Sequence, residues 1–153
     1  MNKTILVPYD FSEASEYGVK YAIDYASARP GMDLRFCLIG AREDAEQFAA
    51  GKKKIENQIT KKFRGTLSWT ELIPGSVNGL LEKCREDKVD MVVMGTAGSA
   101  QEDANTKTAE MVLKAKFPVL VVPANTVDEF KLSKIALVLG HNEIDDPNLM
   151  HTL

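Results

Sequence analysis

Five short apolar runs, separated by stretches of helical spacing, constrain this chain more than any other feature in it. KTILVP (residues 3–8), LRFCLI (34–39), TLSWTELI (66–73), DMVVM (90–94) and PVLVV (118–122) have strand lengths and are bounded by turn residues. DMVVM and PVLVV are too continuously apolar to leave either face in water, which is the mark of a parallel sheet. Between the runs, apolar residues recur one helical turn apart: Val19, Ala22, Ile23 and Ala26, then Phe48, Ile55, Ile59 and Phe63. Val77, Leu80, Leu81 and Cys84 continue the pattern, and Ala109, Val112 and Leu113 mark a last helix. Strand and helix in alternation, joined by right-handed crossovers, predict an α/β fold: a doubly wound parallel sheet with helices on both faces.

The punctuation agrees with that order. Ser12, followed by Glu13 and Glu16, opens the first helix, and Arg29-Pro30-Gly31 stops it. Residues 44–64 read as one long polar helix, weakened by Gly51. Pro74-Gly75 turns the chain and Ser76 caps the following helix. Trp69 reads as a core or sheet-face residue.

The tail adds a further expectation. Residues 125–132 have linker character, and KIALVL (134–139) is another strand-like run. With Ile135 set beneath Ile5, IALVLGHNE faces ILVPYDFSE and Glu143 falls under Glu13. The expected division is an α/β domain over 1–124, a linker over 125–133, and the start of a second repeat over 134–153. The other reading of 134–153 is a strand added to the one domain.

Composition narrows the function classes. A chain of 153 residues, 44% hydrophobic, suits one well-buried core. A net charge of −3 predicts no nucleic-acid partner, and the basic run Lys52, Lys53, Lys54, Lys61, Lys62 and Arg64 reads as a solvated helix face. Cys37 and Cys84 sit within apolar runs, as buried free thiols of a reducing cytoplasm would. Both histidines, His141 and His151, lie in the tail, and no CxxC or HExxH spacing occurs. The expectation is therefore no metal site and no catalytic Ser–His or Cys–His pair, hence no conventional enzyme. No amino-terminal signal pattern and no apolar run of membrane-spanning length is present.

Ligands of doubly wound sheets bind beyond the carboxyl ends of the strands, which directs attention to the loops after Pro8, Ile39, Ile73 and Met94. In MGTAGS (94–99), Gly95 and Gly98 leave backbone amides bare for a phosphate, although GTAG taken alone is more often a plain strand-exit turn. It is neither GxxxxGK[ST] nor GxGxxG. Asp10 has two open roles: bonding a ribose hydroxyl or phosphate-bound metal, or leading into the first helix. Ile39 either packs on a base or belongs to the core.

Three blocks together, ILVPYDFSE, IPGSVNGLLEKCREDKVDMVVMGTAG and AEMVLKAKFPVLVVP, resemble the universal stress proteins over about residues 2–123. The resemblance implies a flavodoxin- or Rossmann-like five-stranded sheet in the order 3-2-1-4-5. It implies a stress-response regulatory domain with an adenine-nucleotide crevice, taking ATP with Mg²⁺. In this chain Pro8, Tyr9, Asp10 and Ile39 would surround the nucleoside, and Met94, Gly95, Gly98, Asn105 and Thr106 the phosphates. ATP-binding members carry Gly, two residues, Gly, about nine residues, then Gly and Ser or Thr. Gly95 and Gly98 match, but the count then reaches Thr108-Ala109, and no glycine occurs between Gly98 and Gly140. Glu102 and Asp103 would also stand near the phosphates. The alternative is an empty crevice in a dimerisation or docking module. The resemblance further implies a homodimer, or a tandem pairing, through the edge strand at 118–122.

Overall fold

The computed structural model describes residues 2–42, 44–96, 102–123 and 136–138, with the side chains of 102–106 and 136–138 lying outside that description. Six strands form one sheet in the order β3-β2-β1-β4-β5-β6. They are β1 (Lys3–Tyr9), β2 (Met32–Ile39), β3 (Leu67–Leu72), β4 (Met91–Thr96), β5 (Val119–Pro123) and β6 (Ala136–Val138). The first five are parallel, with Ile5 opposite both Leu34 and Met91. The four crossovers are α1 (Glu13–Ala28), α2 (Ala45–Glu56), α3 (Val77–Glu86) and α4 (Glu102–Lys114). The doubly wound five-strand core in the order 3-2-1-4-5 matches the expectation from sequence.

Helix starts are fixed locally. Ser12, Asp44 and Ser76 each accept a hydrogen bond from the amide three residues on, at 3.0–3.2 Å. Such caps satisfy one of the amides a helix start leaves without partners, an effect of about 1 kcal/mol each.

Three details differ from expectation. The helix expected over 44–64 ends at Glu56, where the Asn57 N–H still reaches Lys53 O at 3.0 Å. Successive turns follow, with Gln58 N–H on Ile55 O and Phe63 N–H on Thr60 O. These turns fold Ile59 and Phe63 back onto the core, so the apolar spacing was real but did not require one helix. On α4 the buried stripe is Met111, Val112 and Ala115, while Leu113 is 56% exposed. β4 continues through Gly95 and Thr96, which pair with Val122 and Pro123. In the tail, β6 pairs antiparallel with β5, Val119 against Val138 and Val121 against Ala136. Within the chain itself, then, a strand covers the β5 edge. The linker, and the residues of 134–153 other than 136–138, lie outside the described residues.

Side chains alternate along the strands and divide the core between two faces. Ile5, Val7 and Tyr9 of β1 join α1 and α2 on the first face, with Tyr25, Phe36 and Phe48. Leu6 joins α3 and α4 on the second face, with Cys37, Cys84 and Met111. Trp69 packs on the first face, its ring 5.3 Å from that of Phe36. No helix among the described residues is long and apolar enough to cross a membrane.

Candidate functional site

Strand order reverses beside β1. The chain moves from β1 to β2 on one side, and the crossover through α3 brings it back to β4 on the other. At such a reversal the connections diverge and leave a crevice above the strand ends. A cavity of about 130 Å³ lies there, floored by Pro8, Ile39 and Met94 at the ends of β1, β2 and β4. Its walls are first turns of helices and the flank of α4: Ser12 and Ser15, Ser76 and Val77, Lys107 and Met111.

The turn after β1 is built around a strained residue. Phe11 has φ of 67°, in the left-handed region that costs a non-glycine residue about 1–3 kcal/mol. Its ring stacks on Phe48 (centroids 5.8 Å apart, planes within 9°) and tilts against Tyr9 at 4.9 Å. Gly51 makes room for it, because a Cβ there would stand 2.7 Å from the Phe11 ring. The glycine that weakens α2 as a helix is therefore the seat of Phe11. The turn brings Asp10 over α1, where its Oδ1 accepts hydrogen bonds from the Ser12 amide at 3.0 Å and from the Ser12 hydroxyl. Burial opposes the charge on Asp10. The bonds from Ser12 and Ser15, together with the Lys107 ammonium, outweigh it and hold the carboxyl below its ordinary value. Asp10 thus supports the entry to α1 and also lines the crevice.

Two glycines shape the crevice by close approach. At Gly95 a Cβ would lie 1.7 Å from Ala14 O, and at Gly18 one would lie 2.6 Å from Gly95 N. Gly95 is thus bare where α1 presses on β4, a reason different from the phosphate approach expected of it, although it also lines the cavity. At Gly75 a Cβ would stand 2.2 Å from Ile39 Cγ2. The Gly75 amide donates to Gly40 O at 2.9 Å, which clamps the loop after β3 to the end of β2.

Of the residues singled out by sequence, Pro8, Asp10, Ile39, Met94 and Gly95 come together at the cavity. Tyr9 does not line it. Its ring belongs to the first face and its hydroxyl reaches Glu16 at 3.5 Å. Burial, then the Glu16 charge, raises the Tyr9 hydroxyl above its ordinary pKa. Gly98 lies outside the described residues; Asn105 and Thr106 lie in α4, their side chains outside the description. Sequence reasoning missed Lys107, Val77 and Met111 as wall residues, and treated Ser76 only as a cap. Lys107 and Met111 are four apart on a helix, so the stripe that buries Met111 also carries Lys107 to the crevice. Among the described lining residues, Lys107 is the one cation and Asp10 the one anion. No group of three or more His, Cys, Asp or Glu among the described residues is placed to hold a metal ion.

Comparison with known proteins adds three findings. The model of the universal stress protein family matches residues 1–123. No curated protein matches. Among solved structures, a universal stress protein in complex with cAMP is 20% identical, with a TM-score of 0.68 over 81% of this chain and 98% of its own. An Arabidopsis thaliana family protein with AMP bound is 11% identical, with a TM-score of 0.58 over 81% of this chain and 93% of its own. A universal stress protein from Archaeoglobus fulgidus is 14% identical, with a TM-score of 0.59 over 80% and 98%. At these identities the likeness shows the shared fold.

Proposed function

Because the chain belongs to the universal stress protein family, we propose that it is a regulatory domain that binds an adenine mononucleotide in the crevice between β1 and β4. The observation that carries this reading is the division of the cavity wall. Ile39, Val77, Leu80, Met94 and Met111 supply an apolar slot suited to a base. Asp10 stands at the rim for ribose hydroxyls, with Oδ1 committed to Ser12. Lys107 and the open amides at the start of α3 supply the positive end for a phosphate. One cation matches a single phosphate better than a triphosphate, and the cAMP and AMP carried by two solved relatives support that choice. The role is binding rather than catalysis, with ATP and Mg²⁺ as the larger ligand to be tested beside it.

Calorimetry with AMP, cAMP and ATP–Mg²⁺ tests the reading. AMP or cAMP should bind, and Lys107→Ala should weaken binding about tenfold, or about 1.4 kcal/mol. ATP–Mg²⁺ binding tenfold or more tighter than AMP would transfer the assignment to a triphosphate. Absence of heat with all three would leave the docking-module reading.

Association through the β5 edge is part of the same proposal. β6 occupies three positions of that edge, so a partner strand has to displace it. Light scattering should find a larger particle when residues 124–153 are removed, and an unchanged monomer would count against edge pairing.

A further inference from the structure

The basic run that sequence reads as one solvated face divides into two groups in the fold. Lys52 lies over the Trp69 ring, 6.0 Å from its centre, and pairs with Glu71 at 3.8 Å. Lys54 pairs with Glu16. Lys62 and Arg64 lie beyond the end of α2, on the approach to β3. There they meet Arg29 from the turn between α1 and β2, and the three line one concavity of about 270 Å³. It sits at the amino ends of the strands, the end of the sheet opposite the nucleotide crevice.

Several independent features of this concavity favour an anion. No carboxylate is among its lining residues. Among the described residues none of the three cations forms an ion pair, and Arg29 instead rests 4.8 Å from the centre of the Tyr25 ring. The Ser27 hydroxyl, which belongs to a lining residue, is buried with no hydrogen-bond partner. Part of the wall is bare backbone: Gly31 has φ of 84°, and at Gly65 a Cβ would stand 1.8 Å from Met32 O. On a chain of net charge −3, three cations line this concavity with no carboxylate among its lining residues, and the neighbouring Asp33 carboxylate is engaged by the Asn2 side chain and the Thr66 amide. Two of them are guanidinium groups, whose planar fork suits phosphate oxygens.

We propose that Arg29, Lys62 and Arg64 form a second ligand site, independent of the nucleotide crevice, that takes the phosphate or diphosphate group of a small soluble molecule. The test titrates the full chain with inorganic pyrophosphate, and in parallel inorganic phosphate, at fixed ionic strength. Calorimetry and ¹⁵N amide shifts are the readouts. Saturable binding with Kd below about 1 mM is expected, with shifts confined to residues 26–31 and 62–65. A preference for pyrophosphate assigns a diphosphate and a preference for phosphate assigns a monophosphate; both uphold the site. The double variant Lys62→Gln/Arg64→Gln should lose at least about tenfold in affinity. The charge-matched Lys53→Gln/Lys61→Gln, outside the concavity, should retain it. The proposal is overturned if binding does not saturate by about 10 mM, or if both double variants weaken it equally, which is the behaviour of a diffuse basic surface.

Discussion

The two faces of the sheet are packed from different materials, and only one of them opens. The first face is filled by rings: Tyr21, Tyr25, Phe36 and Phe48 are buried, and Phe11 and Trp69 close its margins. The second is filled mainly by aliphatic and sulfur-bearing side chains, among them Cys37, Leu80, Cys84 and Met111. Phe11 explains the difference at the carboxyl ends of the strands. Its left-handed backbone turns the ring toward Phe48 and seals the first face, leaving Asp10 on the other side of the turn. On the second face the loop after β3 brings only Gly75 against Ile39, and space remains. A crevice therefore arises where packing stops short, on the face where no ring closes the carboxyl ends of the strands.

Paired truncations break this comparison most severely. Phe36 is fully buried on the first face, and Phe36→Ala should cost about 3–5 kcal/mol in urea unfolding while leaving AMP affinity within about twofold. Leu80 borders the crevice, where the wall can relax, so Leu80→Ala should cost about 2 kcal/mol and weaken AMP about tenfold. The reverse pattern would place the ligand on the wrong face. Gly95→Ala comes next. Its Cβ would meet Ala14 O, a backbone atom, so the variant should lose about 3 kcal/mol by forcing α1 off β4.

A smaller effect comes from the thiols of the second face. Burial pushes both Cys37 and Cys84 up to about 12 from an ordinary 9.0. The folded state thus keeps protons that the unfolded chain releases. Their contribution to stability is complete below pH 9.0 and is lost as pH rises toward about 12. Urea midpoints should fall more steeply across that window in the native chain than in Cys37→Ala/Cys84→Ala, and equal slopes would contradict the assignment. Gly75→Ala should cost about 1–2 kcal/mol, because its Cβ would meet the γ-methyl of β-branched Ile39 and turn that side chain toward the cavity, and should weaken AMP about tenfold. A stability loss with unchanged affinity would show that Ile39 is not a floor residue of the ligand site.

The five parallel strands were legible because buried strands leave continuous apolar runs, such as DMVVM; their order came from the family resemblance, and the position of the crevice from where such sheets open. The end of α2 was not legible. Ile59 and Phe63 keep a helical spacing although turns deliver them to the core. The meanings of Gly51 and Gly95 were hidden for a related reason: each is bare because of a contact with a distant element, Phe11 in one case and α1 in the other. Lys107 escaped notice because the apolar stripe of α4 was set on Ala109, Val112 and Leu113 rather than on Met111, Val112 and Ala115. The meeting of Arg29 with Lys62 and Arg64 is tertiary and has no local signature.

Amide mapping of AMP on the ¹⁵N-labelled full chain tests the central claim most directly. The account predicts shifts at Asp10, Ser12, Ile39, Gly75, Val77 and Lys107, with the amides of Tyr21 and Tyr25 on the first face unmoved. No shifts at these crevice residues at about 5 mM AMP, or shifts centred on Tyr21 and Tyr25, would contradict it, whatever AMP does at the separate concavity of Arg29 and Arg64.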